Sequence, residues 1–353
     1  MDIKISEFGS GLSGNEIKSF TITNSERTSF SLINFGGILT SFRMKNSNNK
    51  IENVILGFEN IEKYIDNPHY FGATIGRFSN RIASGRFSLN GKVYTLECNE
   101  EFQIENKTVK NHEHGGSKGF HTKIWNTEPF CDELTAGVCL RNTFLDRESG
   151  YPGNLEVSIT ISLNESNELI FDYNAKTDIP TPVSMTNHAY WNLEGAGSGS
   201  ILNHELRLNC STYLPLGEDL IPTGEIKNVD DGPMDFRTPK KIGRDMKMLD
   251  IGYDHCYIAD SEIGELSNIA RLSAFESGRI MEVLTTMPAV QVYTANYLDG
   301  IVGADNVVFN RHDAVCLETE YYPDSVNQSH FPSVILDPGV NYHHSTIHKF
   351  TIK

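Results

Sequence analysis

Leu155-Glu156-Val157-Ser158-Ile159-Thr160-Ile161-Ser162-Leu163 carries an apolar side chain at every odd position and a polar one at every even position. Successive side chains of a strand point to opposite faces, so this run reads as a half-buried β-strand. A turn through 164–167 leads into a second apolar run, Leu169-Ile170-Phe171-Asp172-Tyr173. Upstream, Gly85-Arg86-Phe87-Ser88-Leu89 and Lys92-Val93-Tyr94-Thr95-Leu96 flank Asn90-Gly91, the residue pair that tight hairpins favour because both central positions need positive φ. Further strands are expected at 18–23, 29–35, 39–44, 205–210, 279–284, 290–295, 313–319 and 346–352. Helical turns are expected only near 59–65 and 241–249, where the pattern is too brief for a core helix. Many evenly spaced strands with Gly, Asn and Pro between them predict an all-β protein of large sandwiched antiparallel sheets with few short helices. With no Ser/Gly-rich linker, low-complexity tract or internal repeat, a single domain over 1–353 is expected.

Composition narrows the function. The 353 residues are 39% hydrophobic and 22% charged, an ordinary globular balance. Lys plus Arg number 30 and Asp plus Glu 46, so the formal net charge is −16. That field repels phosphate backbones, phosphorylated sugars and anionic membranes, and no Lys/Arg run opposes it. Neither a signal-peptide core at Met1–Glu7 nor an apolar run of spanning length is present, so a cytoplasmic chain is expected. Cys98, Cys131, Cys139, Cys210, Cys256 and Cys316 form no Cys-x-x-Cys pair and read as free thiols.

Three polar clusters carry the chemistry: Asn111-His112-Glu113-His114-Gly115-Gly116, Thr186-Asn187-His188-Ala189-Tyr190-Trp191-Asn192 and Leu317-Glu318-Thr319-Glu320. Imidazoles and a carboxylate gathered in one cleft can take a proton from one oxygen and give one to another. Taken singly, each has a bland reading. His188 beside Tyr190 and Trp191 could be a packed core histidine, and Glu318 a solvated strand residue.

Together with Gly72-Ala73-Thr74-Ile75-Gly76-Arg77, Asn80-Arg81-Ile82-Ala83, His114-Gly115-Gly116-Ser117-Lys118-Gly119-Phe120, Tyr253-Asp254-His255, Gln291-Val292-Tyr293-Thr294 and Pro323-Asp324-Ser325-Val326-Asn327-Gln328, these clusters resemble the aldose 1-epimerase (galactose mutarotase) family, in order, over nearly the whole chain. The resemblance implies the β-supersandwich of that family and interconversion of the α and β anomers of free hexoses such as galactose or glucose. It implies Glu318 as base at the anomeric hydroxyl, His188 as acid at the ring oxygen and His114 as a second active-site histidine. Asn80, Arg81, Asp254 and Gln291 match its sugar-binding positions, and Tyr190 or Trp191 would floor the sugar; Arg77 is expected to be structural. A monosaccharide is the implied partner, with no metal or cofactor and with monomer and homodimer both open. Glu318 is expected to stay ionised and to favour charged His188. Glu320, His121 and Asp337 depart from the usual family pattern, and His343-His344 is expected to be exposed.

Rival readings remain. Glu318 and Glu320, two apart on one strand, have backbones roughly 6.6 Å apart at about 3.3 Å per residue, inside the spacing of about 6.5–9.5 Å for an inverting glycosidase. His112-x-His114 with His188 could ligate a metal, although no carboxylate-rich surround is expected. A sugar-binding module and a hexose-6-phosphate epimerase complete the alternatives; the latter would need basic residues in the cleft.

Overall fold

A computed structural model describes residues 1–11, 14–230 and 232–353. Antiparallel strands dominate, as the alternation predicts. The largest sheet has nine strands in the order Asn126–Cys131, Thr135–Phe144, Leu155–Asn164, Glu168–Thr177, Tyr342–Ile352, Arg279–Thr285, Ser267–Ser273, Glu205–Leu208 and Lys240–Lys241. The C-terminal strand therefore lies in the middle, paired on one side with Glu168–Thr177 and on the other with Arg279–Thr285. One face of this sheet supplies Ile159, Ile161, Phe171, Tyr173, Met281, Val283 and Phe350 to the main core. A five-stranded N-terminal sheet adds Phe20, Phe30 and Phe42 to the same core.

The remaining long sheet positions the chemistry. Its order is Lys227–Asn228, Thr212–Tyr213, Asp254–Ile258, Ala289–Tyr293 and Cys316–Glu320. Register sets Gln291 beside Glu318 and Asp254 beside Tyr293, so three strands distant in sequence deliver polar side chains side by side. The hairpin at Asn90-Gly91 forms between Arg86–Leu89 and Lys92–Thr95, with both turn residues at positive φ. The two expected helical positions hold the helix Ile61–Ile65, capped by the Asn60 side chain, and the 3-10 turns Ile242–Arg244 and Met246–Met248. No helix among the described residues is long and apolar enough to cross a membrane.

One sequence expectation fails here. His343 is exposed but His344 is buried, bonded to Thr286 Oγ1 at 3.0 Å and Tyr321 Oη at 3.2 Å. The last strand begins at Tyr342 rather than 346, and neighbours on a strand must face opposite sides.

Candidate active site

Glu318 and His188 converge. Nε2 of His188 lies 3.6 Å from Oε1 of Glu318, and both side chains are buried. They line a hollow of about 250 Å³ together with Pro68, His69, Tyr70, Asn80, Arg81, Glu100, Glu113, His114, Tyr190, Asp254, Gln291, Tyr293 and Tyr297. All seven residues expected at the site, His114, His188, Glu318, Asn80, Arg81, Asp254 and Gln291, are therefore brought together. A larger depression of about 540 Å³ lies on the outer face of the nine-stranded sheet, but it gathers no acid–imidazole pair.

The local backbone explains how His114 is held. It ends the strand Lys107–Glu113 and adopts φ 50°, a left-handed conformation that histidine seldom takes. Two bonds to Asn80 hold it there: His114 N–H donates to the Asn80 carbonyl at 3.1 Å, and Asn80 N–H donates to His114 Nδ1 at 3.1 Å. The following Gly115 has φ 84°, and a Cβ there would stand 1.9 Å from the Gly76 carbonyl, so only glycine permits this close approach.

The bond from Asn80 also fixes a proton. Nδ1 of His114 accepts, so the neutral ring carries its hydrogen on Nε2 and points a donor into the hollow. Burial, then the nearby His188 and Arg81, hold this ring well below the usual histidine range, so it is neutral. The same bond bears on the metal reading. Ligand atoms of His114, His188 and Glu318 lie within 4.8 Å of one another, a spacing a divalent ion could use. A ligating histidine normally donates its other N–H to an acceptor, whereas here the other nitrogen faces a backbone N–H. That donor set does not fit a metal. His112, the other member of the proposed pair, is fully occupied by the Glu97 carbonyl and the Tyr151 hydroxyl, each at 2.6 Å.

The charge states differ from expectation. Glu318 is pushed well above the usual carboxylate range by burial first, then by Glu320, Asp254 and Glu113. His188 is lowered to about 3, chiefly by burial between the rings of Tyr190, at 5.0 Å, and Tyr70, at 6.0 Å. Both shifts favour a neutral acid beside a neutral imidazole. The expected ion pair differs from it only by moving one proton, and desolvation decides against it.

Around the pair, Gln291 Nε2 donates to Asp254 Oδ1 at 2.7 Å, which leaves Gln291 Oε1 without a partner, as is Glu318 Oε2. Buried acceptors of this kind await hydroxyl donors. Arg81 grips Glu100 through Nε and Nη2 at 2.8 and 2.7 Å, and Glu113 at 3.0 Å. Asn80 holds Glu320 Oε1 at 3.0 Å through its side-chain amide and so acts partly as a support. The hollow sets Glu100, Glu113, Asp254 and Glu318 against Arg81 alone among the described residues, so its surround is richer in carboxylates than the sequence suggested.

Other assignments separate cleanly. Arg77 is structural: it donates to the carbonyls of Pro152, Gly153 and Phe144. Trp191 is wholly buried against Phe42, Phe350 and His348, which leaves Tyr190 at the hollow. Glu320 shares the strand with Glu318 but does not line the hollow, so the two cannot flank a glycosidic bond. His121 packs edge-on against Tyr70 at 5.0 Å, and Asp337 is exposed. Sequence reasoning missed Tyr70, Glu100, Glu113, Tyr293 and Tyr297. Glu113 and Tyr293 stood inside quoted motifs; the other three had no local signal.

A buried acid–imidazole pair in a polar hollow on an all-β sandwich defines a site able to move a proton between two oxygens of a small polar molecule. Comparison with known proteins specifies the family. The aldose 1-epimerase family model matches residues 18–349. Mouse galactose mutarotase is 40% identical over 341 residues, covering 96% of this chain and 95% of its own. The aldose 1-epimerase of Escherichia coli is 30% identical over 344 residues, covering 96% of both. Among solved structures, the GalM/aldose epimerase homologue from C. elegans superposes with a TM-score of 0.85 at 26% identity, covering 94% of this chain and 98% of its own. The chain belongs to the aldose 1-epimerase family, isomerases that interconvert the anomers of aldoses.

Proposed function

We propose that the protein interconverts the α and β anomers of free aldohexoses, galactose or glucose, with Glu318 as base, His188 as acid and His114 as a neutral hydrogen-bond donor. The observation that carries this reading is the approach of His188 Nε2 to within 3.6 Å of Glu318 Oε1, both side chains buried against one polar hollow. With sugar bound, hydroxyls supply the hydrogen bonds that a carboxylate needs, and the proton moves to His188. Glu318 then takes the anomeric hydroxyl proton while the O–H electrons form the aldehyde C=O. The C1–O5 bond breaks, and O5 receives the Nε2 proton of His188. The pair ends as neutral acid and neutral imidazole, the distribution its burial favours. Rotation about C1–C2 and the reverse transfers close the other anomer. Each positioned transfer is worth roughly 10²–10⁴-fold.

The acidic hollow favours neutral sugars over phosphorylated ones, since Arg81 is already paired to Glu100 and Glu113. Polarimetry on freshly dissolved α-D-galactose and α-D-glucose tests the reading. Rotation should relax much faster than in buffer; relaxation at the buffer rate for both sugars overturns it.

A further inference from the structure

The strand Cys316–Glu320 presents Cys316 and Glu318 on one face, and that face reaches both nitrogens of the His188 ring. Glu318 Oε1 stands 3.6 Å from Nε2. Cys316 Sγ stands 3.5 Å from Nδ1. We propose that Cys316 is a positioning residue whose sulfur accepts the Nδ1–H of His188 in every step, keeping the exchangeable proton on Nε2.

The tautomers show why this matters. When His188 is charged, both nitrogens carry hydrogen, and Nδ1–H points at sulfur. After Nε2 gives its proton to the ring oxygen, the neutral ring must retain its hydrogen on Nδ1, so the sulfur accepts again. Where a neutral Glu318 acid faces Nε2, the remaining ring hydrogen falls on Nδ1 once more. A thiol suits this place. Sulfur is a weak acceptor, so it orients the ring without stabilising the charged form as a carboxylate would. Cys316 is wholly buried, and burial followed by Glu318 keeps it a thiol. His188's own backbone carbonyl also favours a proton on the ring. His114 has the opposite arrangement, with an N–H donor at Nδ1 and a hydrogen on Nε2. The neighbouring rings are thereby set in opposite tautomers, one for exchange and one for donation.

The proposal rests on the acid role given to His188, and its test separates the two. Two-bond ¹H–¹⁵N correlation of the ¹⁵N-histidine-labelled protein, with the His188 signal identified by its loss in His188→Asn, reads the tautomer without any turnover. The expected wild-type result at neutral pH is hydrogen on Nδ1 and a bare Nε2. In Cys316→Ala the Nε2–H tautomer should gain population and kcat should fall about 10- to 100-fold, as when the partner that orients a metal-ligating imidazole is removed. KM should stay within about twofold, and Cys316→Ser should recover most of kcat. Hydrogen on Nε2 in the wild type overturns the proposal even if the alanine variant does not fold. So does a Cys316→Ala protein with an unchanged tautomer, whatever its rate. An Nδ1–H signal in a protein with no mutarotase activity would keep the contact and sink the function.

Discussion

The nine-stranded sheet and the sheet ending at Cys316–Glu320 bury residues for opposite ends. In the first, Leu155–Asn164 turns Leu155, Val157, Ile159, Ile161 and Leu163 into the main core and mostly accessible polar side chains outward. In the second, Cys316–Glu320 is buried on both faces yet carries Glu318, Thr319 and Glu320. Three acceptors on its two paired strands, Gln291 Oε1, Glu318 Oε2 and Glu320 Oε2, lack partners. The contrast teaches that stability and reactivity reside on different strands, and substitutions should separate them.

The largest separation is expected at the pair. Glu318→Gln and His188→Asn should each lower kcat by about 10²–10⁴-fold with little change in the thermal midpoint, measured by polarimetry and calorimetry. Full activity in both would break the comparison. Ile159→Ala in the nine-stranded sheet should do the reverse, costing about 2–5 kcal/mol in denaturant unfolding while kcat of the folded protein holds.

His112 and His114 sharpen the same contrast within three residues. His112→Ala strands the Glu97 carbonyl and the Tyr151 hydroxyl and should cost roughly 1–3 kcal/mol of stability, with activity retained below the melting transition. His114→Ala should instead lower kcat/KM in a protein that melts near the wild-type temperature.

The pH profile tests the shared proton. Activity needs one proton between His188 and Glu318. Below about 3 both groups hold one; above the raised range of Glu318 neither does. A plateau through neutral pH is expected, with an alkaline limb far above an ordinary carboxylate and limbs that belong to the pair. A limb near 4.5 would refute the burial argument. The smallest effect belongs to Glu320, whose carboxyl is pushed up to about 8 by burial. It is protonated at pH 7 and nearly isosteric with an amide, so Glu320→Gln should match wild-type turnover there. Above pH 8 only the wild type gains a carboxylate charge at position 320, close to Glu318, and the two profiles should diverge.

Much of this was legible in the chain. Alternation located Leu155–Asn164, Glu168–Thr177 and Arg279–Thr285, and Asn-Gly located its hairpin. Thr135–Phe144 went unread because Ala136 through Leu140 are all buried, which erases the period of two. Glu100–Ile104 and Lys107–Glu113 went unread because charge masks their pairing. The residues proposed to handle protons were also legible as candidates, since their neighbours along the chain mark them out, and the fold brings them to one hollow. Their protonation was not. Charge state depends on how much water and how many other carboxylates surround a group, and Glu113 and Asp254 lie far along the chain from Glu318 and Glu320. Covalent order therefore determined the strands and which side chains are candidates for the chemistry. Only the tertiary structure decided which of these groups meet and in which direction burial and neighbouring charges shift them, because desolvation and hydrogen-bond direction exist only between residues that folding brings together.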